Sequence, residues 1–190
     1  MKKISFITLL CIALVKTSNS QEVAGGDYYV EINTQGGIVT HSATTIKESI
    51  DYLNANGLTS VNDGDVIIYL TDDNYSESGI TVLNITNSSE TNKVIIKPYT
   101  GVQPIITINN TVDDSGIKFD GVSFFTIDGS NQPNGNSQDL TITIANNGYT
   151  ISLENSNDNI TIKNSLITAN SNAISNINTA IHTSDNNKTN

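Results

Sequence analysis

Apolar and polar positions alternate in a five-residue unit that recurs nine times along the chain. It reads apolar, any residue, apolar, any residue, then a turn former. The copies begin at Ile68, Leu83, Val94, Ile106, Ile117, Phe125, Ile142, Ile151 and Ile160. Taken in threes they form coils beginning at 68/83/94, 106/117/125 and 142/151/160. The second and third coils are offset by 36, 34 and 35 positions, and the first and second by 38, 34 and 31. A near-constant period of this length is the mark of a solenoid.

Period-two alternation puts the first and third residues of each copy on one face of a strand. The fifth position is Gly or Asn in seven of the nine copies, the residue types that best tolerate a left-handed backbone. Each copy therefore predicts a short strand and a sharp bend. The predicted fold is all-β: a right-handed parallel β-helix solenoid of about three coils, roughly 35 residues each, with strand stacked on strand in parallel. A β-sandwich is the competing reading, but antiparallel pairing does not require so constant a register. The repeat places Phe125 beside Ile160 and Ile127 beside Ile162. It also predicts left-handed backbone at several of Asn110, Gly121, Gly129, Asn146, Asn155 and Asn164.

Residues 45–55 break the alternation and take helical spacing. Ile46, Ile50 and Leu53 share a face, Thr45 and Glu48 are spaced as a capping box, and Gly57 supplies a stop. A helix just ahead of the first coil predicts a cap over strand edges that would otherwise template aggregation. Residues 1–20 read as a secretory leader, with Lys2 and Lys3 before the apolar run Ile4 to Val15 and small residues Ser18 and Ser20 ahead of Gln21. Residues 21–65 then form the cap region and 66–182 the coils. The apolar pattern fades after Ile167, so 183–190 reads as a ragged end that continues in a longer protein.

The net charge is −10. Cleavage would remove Lys2, Lys3 and Lys16 and leave −13, three below that value. There is no arginine. Such a chain repels nucleic acid and anionic membrane, and nothing after the leader would insert in a bilayer. The one cysteine, Cys11, lies in the leader, so the mature chain would have neither disulfides nor thiolate metal sites. The chain is expected to be secreted or displayed at the cell surface, as a monomer or part of a longer chain.

Three stretches together resemble the pectate-lyase-like superfamily of secreted right-handed β-helix proteins. They are Thr45-Ile46-Lys47-Glu48-Ser49-Ile50-Asp51-Tyr52, the strand Val66-Ile67-Ile68-Tyr69-Leu70 followed by Asn74-Tyr75-Ser76-Glu77, and Asn159-Ile160-Thr161-Ile162-Lys163-Asn164. The resemblance covers about residues 28–182. The Asn- and Thr-rich style is similar to large cell-surface proteins of Gram-negative bacteria that often end in a type IX sorting domain, and the chain is expected to be an amino-terminal fragment of such a protein. The resemblance implies the fold and a polysaccharide or surface glycan as partner; the matched residues are architectural.

Lyases of that superfamily use a Lys or Arg base beside a cation. Here Lys118 and Lys163 take outward strand positions in different arms of the coil and read as surface residues. Glycosidases need two carboxylates about 5–9.5 Å apart; Asp120 and Asp128 follow adjacent strands, each before a turn Gly, and read as turn residues. His41 and His182 are far apart in sequence and support no nucleophile–His–Asp set. The residues chosen as candidate calcium ligands are Asp72 and Asp73 after the first strand of coil one, and Asp113 and Asp114 after the first strand of coil two. If those corners stack about 4.8 Å apart, their carboxylates line one edge; the other reading is a solvated acidic rim. No catalytic residue and no other cofactor is expected. The sequence favours a non-catalytic extracellular module, a stalk, adhesin or glycan-binding segment. The alternative is the amino-terminal part of a polysaccharide lyase or glycoside hydrolase whose groove lies elsewhere.

Overall fold

The alternation is realised strand by strand. The computed structural model describes residues 28–34, 37–58, 64–109, 111, 113–170 and 178–184; the expected leader and residues 185–190 lie outside the described residues. The chain opens with β1 (Tyr28–Thr34), β2 (Gly37–Ala43) and the helix α1 (Ile46–Asn56). Short strands follow: β3 (Val66–Leu70), β4 (Asn74–Glu77), β5 (Ile80–Leu83), β6 (Val94–Pro98), β7 (Ile105–Ile108) and β8 (Ser115–Asp120). Then come β9 (Ser123–Asp128), β10 (Leu140–Ile144), β11 (Gly148–Glu154), β12 (Asp158–Lys163), β13 (Ser165–Thr168) and β14 (Asn178–Ser184). From β3 onward every third strand belongs to the same sheet. Sheet A holds β3, β6, β9 and β12, sheet B holds β4, β7, β10 and β13, and sheet C holds β5, β8, β11 and β14. Neighbours in each series pair in parallel. The protein is an all-β parallel solenoid with three sides.

The register agrees with the repeat in the later coils and corrects it in the first. Phe125 pairs with Ile160 and Ile127 with Ile162, Ile106 with Ile142, and Ile117 with Ile151. Ile68, however, pairs with Ile96 rather than Ile106. The partner of Ile106 is Tyr75, and Ile117 pairs with Ile80, not Leu83. The miss has a plain cause. Strand β4 turns Tyr75 and Glu77 inward, so it does not fit an apolar template. Leu83, read as the start of a unit, is a strand end 44% exposed. Among the described residues the strands pass round the three sheets four times, as β3–β5, β6–β8, β9–β11 and β12–β14.

The bends are mixed. Gly121, Asn155 and Asn164 are left-handed, at φ 66°, 59° and 55°; Gly129 and Asn146 are not, and Asn110 lies outside the described residues. Gly129 is needed for a different reason: a Cβ there would lie 1.9 Å from the carbonyl oxygen of Asn164. Corner length varies widely. Asn164 alone joins β12 to β13, whereas residues 129–139 join β9 to β10. That long corner folds on itself: the Ser130 and Ser137 hydroxyls meet at 3.0 Å, and the Asn131 N–H donates to Asp139 Oδ2 at 3.0 Å.

The cap is built as the sequence predicts, with additions. The Thr45 hydroxyl accepts from the Glu48 N–H at 3.1 Å. The Glu48 carboxylate reaches back one residue further than a standard box, to the Thr44 N–H at 2.8 Å. Gly57, at φ 67°, ends the helix with its N–H on Leu53 O. The face Ile46, Ser49, Ile50 and Leu53 is buried. Unpaired N–H groups at the start of a helix favour an anion, and Glu77 supplies one: it is 3% exposed and accepts from the Ile46 and Lys47 N–H groups at 2.9 and 3.3 Å. Asn54 shields the free edge of β5. Its amide donates to Thr81 O at 2.8 Å and accepts from the Leu83 N–H at 3.0 Å, as a neighbouring strand would. Strand β1 closes sheet A by pairing antiparallel with β3.

Inward residues of the three sheets form one column, with Phe119 and Phe125 edge to face at 5.2 Å. Each fully buried apolar side chain contributes about 1.5–3 kcal/mol. Packing thins at the last turn, where Ile160, Ile162 and Ile167 are only partly buried. Among the described residues nothing stacks on the far side of that turn. No helix among the described residues is long and apolar enough to cross a membrane.

Candidate functional site

The four candidate calcium ligands do not share an edge. Asp72 and Asp73 lie in the corner from sheet A to sheet B, between β3 and β4. Asp113 and Asp114 lie in the corner from sheet B to sheet C, between β7 and β8. The expected stacking rested on pairing Ile68 with Ile106, and with that pairing gone the two acidic pairs sit on different corners. Among the described residues no group of three or more His, Cys, Asp or Glu is placed to hold a metal ion.

The other ionisable candidates are tied into local pairs. Lys118 projects from sheet C, with Nζ 2.9 Å from Asp113 Oδ2 and 3.1 Å from Glu154 Oε2. Its side chain is 12% exposed rather than solvated. The hydrogen bonds it donates to Asp113 and then Glu154 outweigh burial and raise its pKa above the ordinary lysine value. Beside it the Ser115 and Ser152 hydroxyls meet at 2.7 Å, both fully buried. A lysine held protonated in this way is a poor general base. Asp120 and Asp128 end strands of different sheets. Asp120 accepts from the Asn155 amide. Burial alone would raise the Asp128 carboxyl, but hydrogen bonds from Asn164, the Ser130 N–H and Lys163 hold it below the usual carboxylate value. His41 lies on β2, and His182, on β14, stacks on Tyr149 with ring centroids 4.0 Å apart.

A different site emerges on the outer face of sheet A. A groove of about 340 Å³ is lined by Glu90, Lys93, Phe124, Thr126, Asn159 and Thr161. None of these was a candidate from sequence. The floor is the stacked pair Thr126 and Thr161. One wall is the corner 84–93, which closes into a small antiparallel turn through two backbone bonds of 3.1 Å between Ser89 and Asn92. Asn92, 2% exposed, braces it by donating to Asn87 O at 3.1 Å. The Ser88 hydroxyl pins it to Ser123 O at 3.1 Å.

Phe124 is the unusual member. Its φ is 54°, in the left-handed region, and Asn159, at the equivalent place one turn later, has φ 53°. Asn suits that conformation, whereas a bulky aromatic in it is a genuine outlier. The corner ahead is over-determined. Asn157 Oδ1 accepts from the Val122 N–H at 2.8 Å, its amide donates to Glu154 O at 2.8 Å, and the Asp158 N–H donates to Val122 O at 2.8 Å. The fold thus holds Phe124 strained in the wall of a groove furnished with hydroxyl and amide groups. The sequence carries a faint signal for it: Phe124 and Phe125 are adjacent apolar residues at a strand start, where alternation calls for a polar one. A scan against protein-family models finds no match to this chain, and comparison with curated proteins and with solved structures finds none either.

Proposed function

We propose that this chain is a non-catalytic extracellular or cell-surface module that binds an uncharged glycan in the groove on sheet A. In this reading the solenoid is a right-handed parallel β-helix of the pectate-lyase-like kind. The hand follows from the strong preference for right-handed crossovers between parallel strands of one sheet. The observation that carries the function is Phe124, held at φ 54° in the groove wall. Backbone strain of this sort costs about 1–3 kcal/mol and gathers where a ligand is clamped. A sugar ring offers a C–H face to an aromatic side chain and hydroxyls to Thr126, Thr161 and Asn159. Glu90 and Lys93 cancel each other's charge, so the groove suits a neutral ligand, and a chain of net −10 repels a polyuronate. The protonated Lys118 and the separation of Asp120 from Asp128 support binding over catalysis. Export rests on the leader read at residues 1–20.

The test is a glycan array with the full chain, followed by titration of the retained sugars. Uncharged oligosaccharides are expected to bind and polyuronates are not. Phe124→Ala should weaken binding about tenfold, a change of about 1.4 kcal/mol. Ultraviolet-absorbing unsaturated products from a polyuronate, or retention of acidic glycans alone, would overturn the proposal.

A further inference from the structure

Sheet B presents an outer face unlike those of the other two. Its outward residues form two ranks in register. One is Asn74, Ile105, Thr141 and Leu166; the other is Ser76, Thr107, Thr143 and Thr168. Neither contains a charged residue. The outer faces of sheets A and C carry Lys97, Asp128 and Lys163, and Lys118, Asp120 and Glu154. On a chain of net −10 this charge-free strip stands out. Ile105 and Leu166, 43% and 52% exposed, both lie on it. The Ser76 hydroxyl accepts from the Asn109 amide at 2.7 Å. Among the described residues the hydroxyls of Thr107, Thr141, Thr143 and Thr168 have no hydrogen-bond partner. Asparagine amides extend the strip beyond the strand ends, Asn146 donating to Asn109 O and Asn170 to Ala145 O.

The geometry points to this face as a binding surface for an extended, uncharged, β-linked polysaccharide lying along the solenoid axis, one sugar to a turn. The inference rests on the glycan-binding reading and names its substrate class. Parallel stacking fixes the repeat within each rank at about 4.8 Å, close to the length of one hexose in an extended β-linked chain. The threonine rank meets the sugar hydroxyls. The rank with Ile105 and Leu166 meets the apolar C–H face such chains expose when packed in a solid. Absence of charge excludes a uronate or a phosphate-bearing polymer, which would leave ions unpaired on the strip. An ice lattice would need small, regular groups in both ranks, and the alternation of Asn, Ile, Thr and Leu does not provide them. The face is small, so a single chain binds weakly, and affinity builds on a solid surface that presents many chains at once.

The experiment uses the full chain and three insoluble probes, cellulose, chitin and mannan powders, with the fraction retained after washing as readout. Wild type should be retained on at least one of them. Thr107→Lys with Thr143→Lys should cut retention about tenfold or more, while soluble-oligosaccharide binding in the groove stays unchanged. Thr107→Val with Thr143→Val keeps the branched shape suited to a strand and should lose retention by a smaller factor, with the same thermal midpoint as wild type. Phe124→Ala should do the reverse, weakening soluble binding first, so that failure of the groove and failure of this face are told apart. Full retention of the lysine variant, or loss of wild type from all three solids, would overturn the inference. So would inhibition of ice recrystallisation without adhesion to any powder, which would reassign the face.

Discussion

At position 124 the usual ranking of alanine over glycine should be inverted. At an ordinary strand position such as Thr141, glycine costs about 0.5–1 kcal/mol more than alanine because it loses more freedom on folding. At Phe124 the backbone sits at φ 54°, where any side chain with a Cβ pays about 1–2 kcal/mol. Glycine escapes that term. Phe124→Ala and Phe124→Gly lose the same half-buried ring, so the difference between them isolates the backbone. Glycine should be the more stable by about 0.5–1 kcal/mol once its entropy cost is subtracted, and Phe124→Asn should fall near glycine, since Asn tolerates this region and occupies it at Asn159, φ 53°. With a urea slope of about 1–3 kcal/mol/M, the midpoints differ by a few tenths of a molar. Urea unfolding followed by far-ultraviolet circular dichroism measures this, with the same Ala and Gly pair at Thr141 as control. If alanine is the more stable at both positions, the backbone at 124 is not left-handed, and the strain argument for the groove goes with it.

Two further predictions concern the core and the acid limb of stability. Ile127, 1% exposed, and Ile162, partly buried, occupy paired positions; Ile127→Asp should unfold the chain while Ile162→Asp destabilises it less, since the cost of an unpaired buried charge grows with burial. Thermal melts of the two variants decide this, and equal midpoints would place the end of the core wrongly. Asp128 has a folded-state pKa below its ordinary 3.8, so its contribution is present at neutral pH and is lost as the pH falls from about 5 through the folded-state value. The stability gap between wild type and Asp128→Asn should therefore shrink between pH 7 and pH 3; a constant gap would mean the carboxylate is not held by Asn164, Ser130 and Lys163 as described.

Much of the scaffold was legible in the chain and little of the surface chemistry was. Phe125 with Ile160 and Ile127 with Ile162 could be paired from sequence because alternation and period both constrain them. The cap could be read because Thr45, Glu48 and Gly57 act locally. Strand β4 escaped because its inward pair is Tyr75 and Glu77, and Glu77 accepts from two N–H groups of the helix start, 31 and 30 residues away. The acidic pairs at 72–73 and 113–114 were misplaced as one edge because a single wrong pairing in the first coil shifts every corner attached to it. The groove depends on a left-handed phenylalanine, which residue preference argues against, and on a corner of variable length with no repeat to mark it.

The inequality of the corners has a practical consequence. Asn164 alone links β12 to β13, and residues 129–139 do the same task one turn earlier, yet Leu140 and Ser165 still pair in register. The strands set the frame, and the loops between them act as interchangeable cassettes. Lengthening a flexible loop costs little entropy, about 0.6 kcal/mol per doubling. The exposed tip of the long corner, Gln132 to Asn134, is thus a natural place to graft a peptide epitope or a second binding loop, which the frame would hold at a defined height along the solenoid axis.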